Sequence, residues 1–223
     1  LNVVFAIDRA GLVGADGETH QGIFDLSYLN CIPNMTIMAP KNSFELEEML
    51  DFAFKVDGPV AIRYPRGKAY KELAEFDSKI EYAKAELLYE EKDIAIVACG
   101  SMVSTAKHVR EKLKIKGYSV SIVNARFIKP IDTDMLDRMC KDHTLVITME
   151  ENVLLGGFGL SVRNYISSKY KDIDIFHVNI PDKYVEHGDV SLLREALHIN
   201  SDSVIKDLED SGLLNKFQER GLR

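Results

Sequence analysis

The chain has no tryptophan, three cysteines and six prolines among 223 residues. Cys31, Cys99 and Cys140 are odd in number and far apart. They argue against a disulfide framework, and no Cys-x-x-Cys or Cys/His cluster offers a metal site. Free, buried thiols in a reducing compartment, the cytoplasm, are therefore expected. An excess of positive charge is also missing: 28 Lys and Arg stand against 35 Asp and Glu, a net charge of −7. Without a basic surface, neither nucleic acid nor an anionic membrane is an expected partner. No apolar run approaches the ~20 residues that span a bilayer, and the first residues carry neither the basic start nor the cleavage site of a signal peptide. An initiator methionine is absent as well, and Leu1-Asn2-Val3-Val4-Phe5 opens inside a strand-like run. From this we expect a piece of a longer protein whose upstream part has been removed.

What the chain has in plenty is alternation. With 46% hydrophobic and 28% charged residues it has the composition of an ordinary folded protein. Its length exceeds the ~100–150 residues of a common domain, so two units, or one and a fragment, are expected. Apolar runs at residues 3–7, 36–39 and 60–63 read as strands, with a short helix near 24–29 and a longer one after Asn42. Asn42 is a cap with Glu45 three residues on, and Phe44, Met49, Leu50 and Phe54 form part of an apolar stripe. Residues 68–92 lose glycine and gain Lys, Glu and Asp, and read as a linker with a short strand near 85–89. Beyond it, strands are expected at 94–98, 120–124, 145–149 and 174–178. Helices are expected near 102–116, 133–141, 157–170, 191–197 and 203–210. This is the pattern of an α/β fold with two doubly wound, mostly parallel sheets. The units run over 1–67 and 93–223.

Chemistry concentrates in one loop, Asp8-Arg9-Ala10-Gly11-Leu12-Val13-Gly14-Ala15-Asp16-Gly17-Glu18-Thr19-His20-Gln21-Gly22. It leaves the carboxyl end of the first strand, where open α/β sheets place their ligands. Its four glycines allow positive φ or close approach to a ligand. His20 can donate, accept or shuttle a proton near neutral pH, or be a solvated loop histidine. Asp16 can serve a ligand, or bond its own backbone ahead of Gly17. Arg9 and Arg66 each follow a strand, so a parallel sheet brings both to one edge. Two guanidinium groups there suit a phosphate, although taken alone either arginine is better read as a surface ion pair. Arg63, three residues earlier, is a weaker alternative; an alternating strand points the two to different faces, so only one of them is expected to serve.

The loop, with Phe24-Asp25-Leu26-Ser27-Tyr28-Leu29, Cys31-Ile32-Pro33-Asn34-Met35 and Arg63-Tyr64-Pro65-Arg66-Gly67, closely resembles the 1-deoxy-D-xylulose-5-phosphate synthases of the transketolase superfamily. The resemblance covers the whole chain, tightest to about residue 67, and only the last third or so of such an enzyme. It implies the end of a thiamine-diphosphate pyrimidine-binding domain followed by a transketolase carboxyl-terminal domain. By resemblance, His20 lines the acceptor site beside the thiamine adduct, Asp16 partners an acceptor hydroxyl, and Arg9 and Arg66 bind the phosphate of glyceraldehyde 3-phosphate. The activity implied for the intact enzyme, a homodimer, is condensation of pyruvate with glyceraldehyde 3-phosphate and loss of carbon dioxide. Its product would feed isoprenoid, thiamine and pyridoxal synthesis.

Thiamine diphosphate and Mg2+ belong to that intact enzyme. The Gly-Asp-Gly motif that grips them in the family is absent here, as is the activating glutamate, so the fragment alone is expected to be inactive. In the second unit, Glu150-Glu151-Asn152 with Gly156-Gly157 resembles a run with a mainly structural role in the superfamily. Cys99-Gly100-Ser101 opens a helix and reads as a plain strand-to-helix turn, though it could meet an anion. A transketolase, the β chain of a 2-oxoacid dehydrogenase and a non-catalytic dimerisation scaffold are the alternative readings.

Overall fold

Strands buried on both faces read as continuous apolar runs, because helices cover each side of a parallel sheet. The computed structural model describes residues 1–68 and 70–219, the last three without their side chains. In it the apolar runs form two sheets, of which the first leaves its edge strand, residues 4–7, uncovered, with Phe5 45% exposed. The first holds β1 (Val4–Ile7), β2 (Thr36–Met38) and β3 (Val60–Arg63), with α1 (Asp25–Asn30) and α2 (Ser43–Ala53) between them. β3 lies in the middle, parallel to both neighbours, and Ile7 pairs with Arg63 at the carboxyl end of β1. The loops after β1 and β3 therefore leave from adjacent points on one sheet edge. This register is what places Arg9 and Arg66 together.

The second sheet has the order β4-β6-β5-β8-β9. Its strands are β4 (Glu86–Tyr89), β5 (Asp93–Ala98), β6 (Val120–Asn124), β8 (His143–Val153) and β9 (Asp174–Ile180). All pairings are parallel except that of β4, which runs antiparallel to β6 at the edge. The helices are α3 (Met102–Ile115), α4 (Thr133–Asp142), α5 (Phe158–Lys169), α6 (Val190–Ala196), α7 (Ser201–Asp210) and α8 (Leu213–Glu219). α3 buries Met102, Val103, Ala106, Val109 and Leu113 at helical spacing against the sheet.

Four features depart from the sequence reading. β7 (Phe127–Lys129) leaves the second unit and pairs antiparallel with β2, so the first sheet ends on a strand from the other side of the chain. Three residues ahead of Pro130 are too short a run to carry a periodic signal. β8 extends to Val153 instead of ending near residue 149, and α8 was not foreseen. Of the three free thiols, Cys99 and Cys140 are buried but Cys31 is exposed.

One apolar core spans both sheets, with Leu26, Ile37 and Ala61 from the first packing among Ala95, Val123, Val146 and Phe158 of the second. Beside it lies a buried ionic cluster. Lys41 and Arg126 share the carboxylates of Glu45 and Glu86, with side-chain exposures of 1–4%. Asn42 caps α2 as expected, its side chain accepting from Glu45 N at 2.9 Å. Glu45, read from sequence as a capping residue, turns inward and joins this cluster.

Candidate functional site

The loop between β1 and α1 is closed at its neck by backbone hydrogen bonds, Gly11 N to Gly22 O at 3.0 Å and Gly22 N to Arg9 O at 2.9 Å. Arg9 has φ +61°, the left-handed region that a residue with a Cβ adopts only when its surroundings dictate it. The surroundings do so: Ala10 N donates to Tyr64 O at 3.0 Å, tying the neck to the loop after β3.

Within this frame the structure brings Arg9, Asp16 and Arg66 together. Asp16 accepts from Arg9 Nε at 2.7 Å through one oxygen and from Arg66 Nη1 through the other. Arg9 also pairs with Asp8 at 3.0 Å. Hydrogen bonds from Arg66 and then Arg9 hold the Asp16 carboxyl below the usual carboxylate range. The two guanidinium groups are half exposed, at 38% and 50%. A carboxylate thus lies between two accessible arginines and supplies them with an oxyanion. His20 is on the same loop but outside this cluster; its Nδ1 lies 2.9 Å from Thr19 Oγ1.

Arg63 is not part of the accessible group. It is buried, with Nε on Asp25 at 3.1 Å and Nη2 donating to the carbonyls of Gly22 and, at 2.9 Å, Glu151. Its work is to anchor the loop neck to the second unit.

That unit meets the loop in ways the sequence did not reveal. A Cβ on Gly14 would overlap the Gly188 carbonyl, and one on Gly11 would overlap the Glu151 carboxylate. Both glycines are therefore required by close packing, Gly11 also by φ +72°. Gln21 reaches across in the same way, donating to Val185 O at 2.6 Å. Glu151 accepts from Arg194 Nε at 2.9 Å and from Ser101 Oγ at 2.9 Å, which occupies the hydroxyl at the start of α3. Asn152 accepts from Leu26 N at 3.1 Å, and Glu150 accepts from Phe158 N and Gly159 N, both at 2.8 Å. Burial pushes the Glu150 carboxyl up to about 7. Only the Glu-Glu-Asn run signalled these contacts, and it could not say what it touched. Next to them a cleft of about 430 Å³ is lined by Tyr64, Arg66, Lys68, Ser101, Ser104 and Arg194 among others.

A mostly parallel sheet with a glycine-rich, charged loop at its carboxyl edge, braced by a second α/β unit, is the architecture of an α/β ligand-binding protein. The chain belongs to the transketolase family. Residues 83–204 match the family's C-terminal domain and residues 1–71 its pyrimidine-binding domain. Within it the chain is similar to the 1-deoxy-D-xylulose-5-phosphate synthases. It is 51% identical over 206 residues to that of Lachnoclostridium phytofermentans, covering 92% of this chain and 33% of the relative. It is 44% identical over 213 residues to that of Listeria monocytogenes, covering 94% and 35%. The chain thus spans about a third of the length of the relatives it matches. Among solved structures, a split-gene transketolase described as an inactive β4 tetramer superposes with a TM-score of 0.82 at 28% identity, covering 94% of this chain and 66% of that one. Transketolase from Campylobacter jejuni gives 0.72 at 20% identity, covering 93% and 31%, a likeness of fold.

No helix among the described residues is long and apolar enough to cross a membrane. Nor do the described residues include a group of three or more His, Cys, Asp or Glu that could hold a metal ion.

Proposed function

We propose that this chain supplies the acceptor-substrate end of a 1-deoxy-D-xylulose-5-phosphate synthase, with Arg9 and Arg66 as the grip on the phosphate of glyceraldehyde 3-phosphate. The observation that carries the reading is the Asp16 carboxylate bridging the two half-exposed guanidinium groups. A phosphate brings more charge and more acceptor oxygens than a carboxylate, so it competes for the same donors. Once displaced, Asp16 stands beside the bound phosphate, within reach of an acceptor hydroxyl. His20, exposed on the same loop, is the side chain available to hand a proton to the aldehyde end. In the intact protein the reaction is joining of pyruvate-derived carbon to the aldehyde with loss of carbon dioxide. Thiamine diphosphate with Mg2+ supplies the carbanion chemistry there, held by parts of the protein outside these residues.

The intact protein is proposed to be a cytoplasmic homodimer. Tyr28, Ile32 and Leu155, between 43% and 66% exposed, offer apolar surface for assembly. The similar split-gene chain, inactive as a β4 tetramer, supports the expectation that this chain alone does not turn over.

The test is turnover by the full-length protein that carries this chain. Formation of 1-deoxy-D-xylulose 5-phosphate from pyruvate and glyceraldehyde 3-phosphate is expected. Preference for ketose donors or for lipoamide would overturn the reading in favour of a transketolase or a 2-oxoacid dehydrogenase.

A further inference from the structure

A carboxylate beneath an anion-binding loop works against its function, since like charges a few ångströms apart repel strongly where water is excluded. Glu151 is such a carboxylate. Its side chain is 3% exposed, and it fills the space a Cβ on Gly11 would need, two residues from Arg9. Its partners are Ser101 Oγ, which is neutral, and Arg194, whose Nε and Nη2 lie at 2.9 and 3.2 Å. The nearby guanidinium of Arg63 is taken by Asp25 and by the Gly22 and Glu151 carbonyls. Arg194 is thus the cation that neutralises the Glu151 carboxylate.

Arg194 sits on α6, whose cap Asp189 follows Gly188. Gly188 N donates to Gly14 O at 3.2 Å. The same stretch of the second unit therefore touches the loop twice, once through backbone and once through the Arg194–Glu151 pair.

We infer that Arg194, acting through Glu151, is a positioning residue for the loop arginines: it holds the Glu151 carboxylate under Gly11 and cancels its charge, leaving the loop receptive to phosphate. The inference rests on the reading of Arg9 and Arg66 as a phosphate grip and assigns the second unit a share in that site.

The experiment is titration of this chain with inorganic phosphate, followed by NMR of the loop amides and arginine Nε groups. Arg194→Met is expected to raise the phosphate Kd about tenfold, Arg194→Lys to leave it within about threefold, and the double variant Glu151→Gln/Arg194→Met to return it to within about threefold of the parent. Glu151→Gln alone, which keeps the shape and removes the charge, is expected to bind at least as tightly as the parent. It decides the matter should Arg194→Met not fold. Unchanged binding in Arg194→Met, a double variant as weak as the single, or weakened binding in Glu151→Gln overturns the inference while leaving the grip in place. A parent chain whose loop ignores phosphate overturns the grip itself, and the inference with it.

Discussion

Two clusters in this molecule use the same parts and do opposite things. In the first, Lys41 and Arg126 share Glu45 and Glu86 with side-chain exposures of 4% or less. In the second, Arg9 and Arg66 share Asp16 while 38% and 50% exposed. The buried set is fully partnered. Arg126 also donates to Ser78 O at 2.7 Å, and Asn124 donates to Glu45 at 2.9 Å. Such a cluster fixes where its elements sit, because removing one member strands a charge away from water. The exposed set contributes little to stability, since water screens it. Its arginines are proposed to exchange one anion for another. Solvent access, more than residue type, separates scaffold from site.

The largest effect that would sharpen this contrast is on stability. Arg126→Met leaves Glu45 and Glu86 to share the single cation of Lys41 and is expected to cost roughly 3–5 kcal/mol in denaturant unfolding. A cost under about 1 kcal/mol would show that the buried cluster is not a clamp. Arg66→Ala should do the reverse. In the full-length protein it is expected to raise KM for glyceraldehyde 3-phosphate roughly ten- to a hundredfold, the weight of one charge-assisted contact of about 1.5–3 kcal/mol, with KM for pyruvate nearly unchanged. Equal loss with a non-phosphorylated aldehyde would break the assignment.

A third expectation concerns pH. Glu150 carries a raised carboxyl of about 7 against an ordinary value of 4.5. Between these values the folded chain binds the proton and the unfolded chain releases it. Its contribution to stability is therefore fully present below about 4.5 and lost as pH rises to about 7, by at most about 3 kcal/mol. The buried histidine acts the other way. His143 is pushed down first by burial, so its contribution is lost as pH falls below its ordinary value. Comparing the parent with Glu150→Gln isolates the carboxyl, since His143 is common to both. The parent should lose more stability than the variant between pH 4.5 and 7, and parallel curves would contradict the shift. The smallest effect is expected for Asp16→Asn, whose exposed pairs are screened by water: the denaturant midpoint should stay close to that of the parent, and a displacement as large as that of Arg126→Met would contradict it.

Part of this contrast is already present in the amino-acid sequence. The alternation of apolar runs specified the α/β class and nearly every strand, because parallel strands buried on both faces leave an unbroken apolar signal. β7 escaped because a strand of three residues has no periodicity, and its partner β2 lies ninety residues away in sequence. The loop announced itself through glycine and charge, and strand adjacency placed Arg9 with Arg66. The family's motifs separated Arg66 from Arg63, a choice that spacing alone left open. Asp16 was expected to meet a ligand, but its bridge between the arginines depends on loop conformation and was not legible. Glu45 gave the same signal as any capping residue, and its burial follows from the packing of the two units. Arg194 and Gly188 carried no signal, since their importance comes from contacts made across the seam.

The exposed arginine pair is proposed to be open to an oxyanion, while the buried arginines are committed to their partners. One titration reads both. In this chain, with arginine Nε–H groups observed by NMR as inorganic phosphate is added, Arg9 and Arg66 are expected to shift together and saturably. Arg63 and Arg126 should stay in place. Movement of Arg63 or Arg126 with phosphate, or silence from Arg9 and Arg66, would contradict the account.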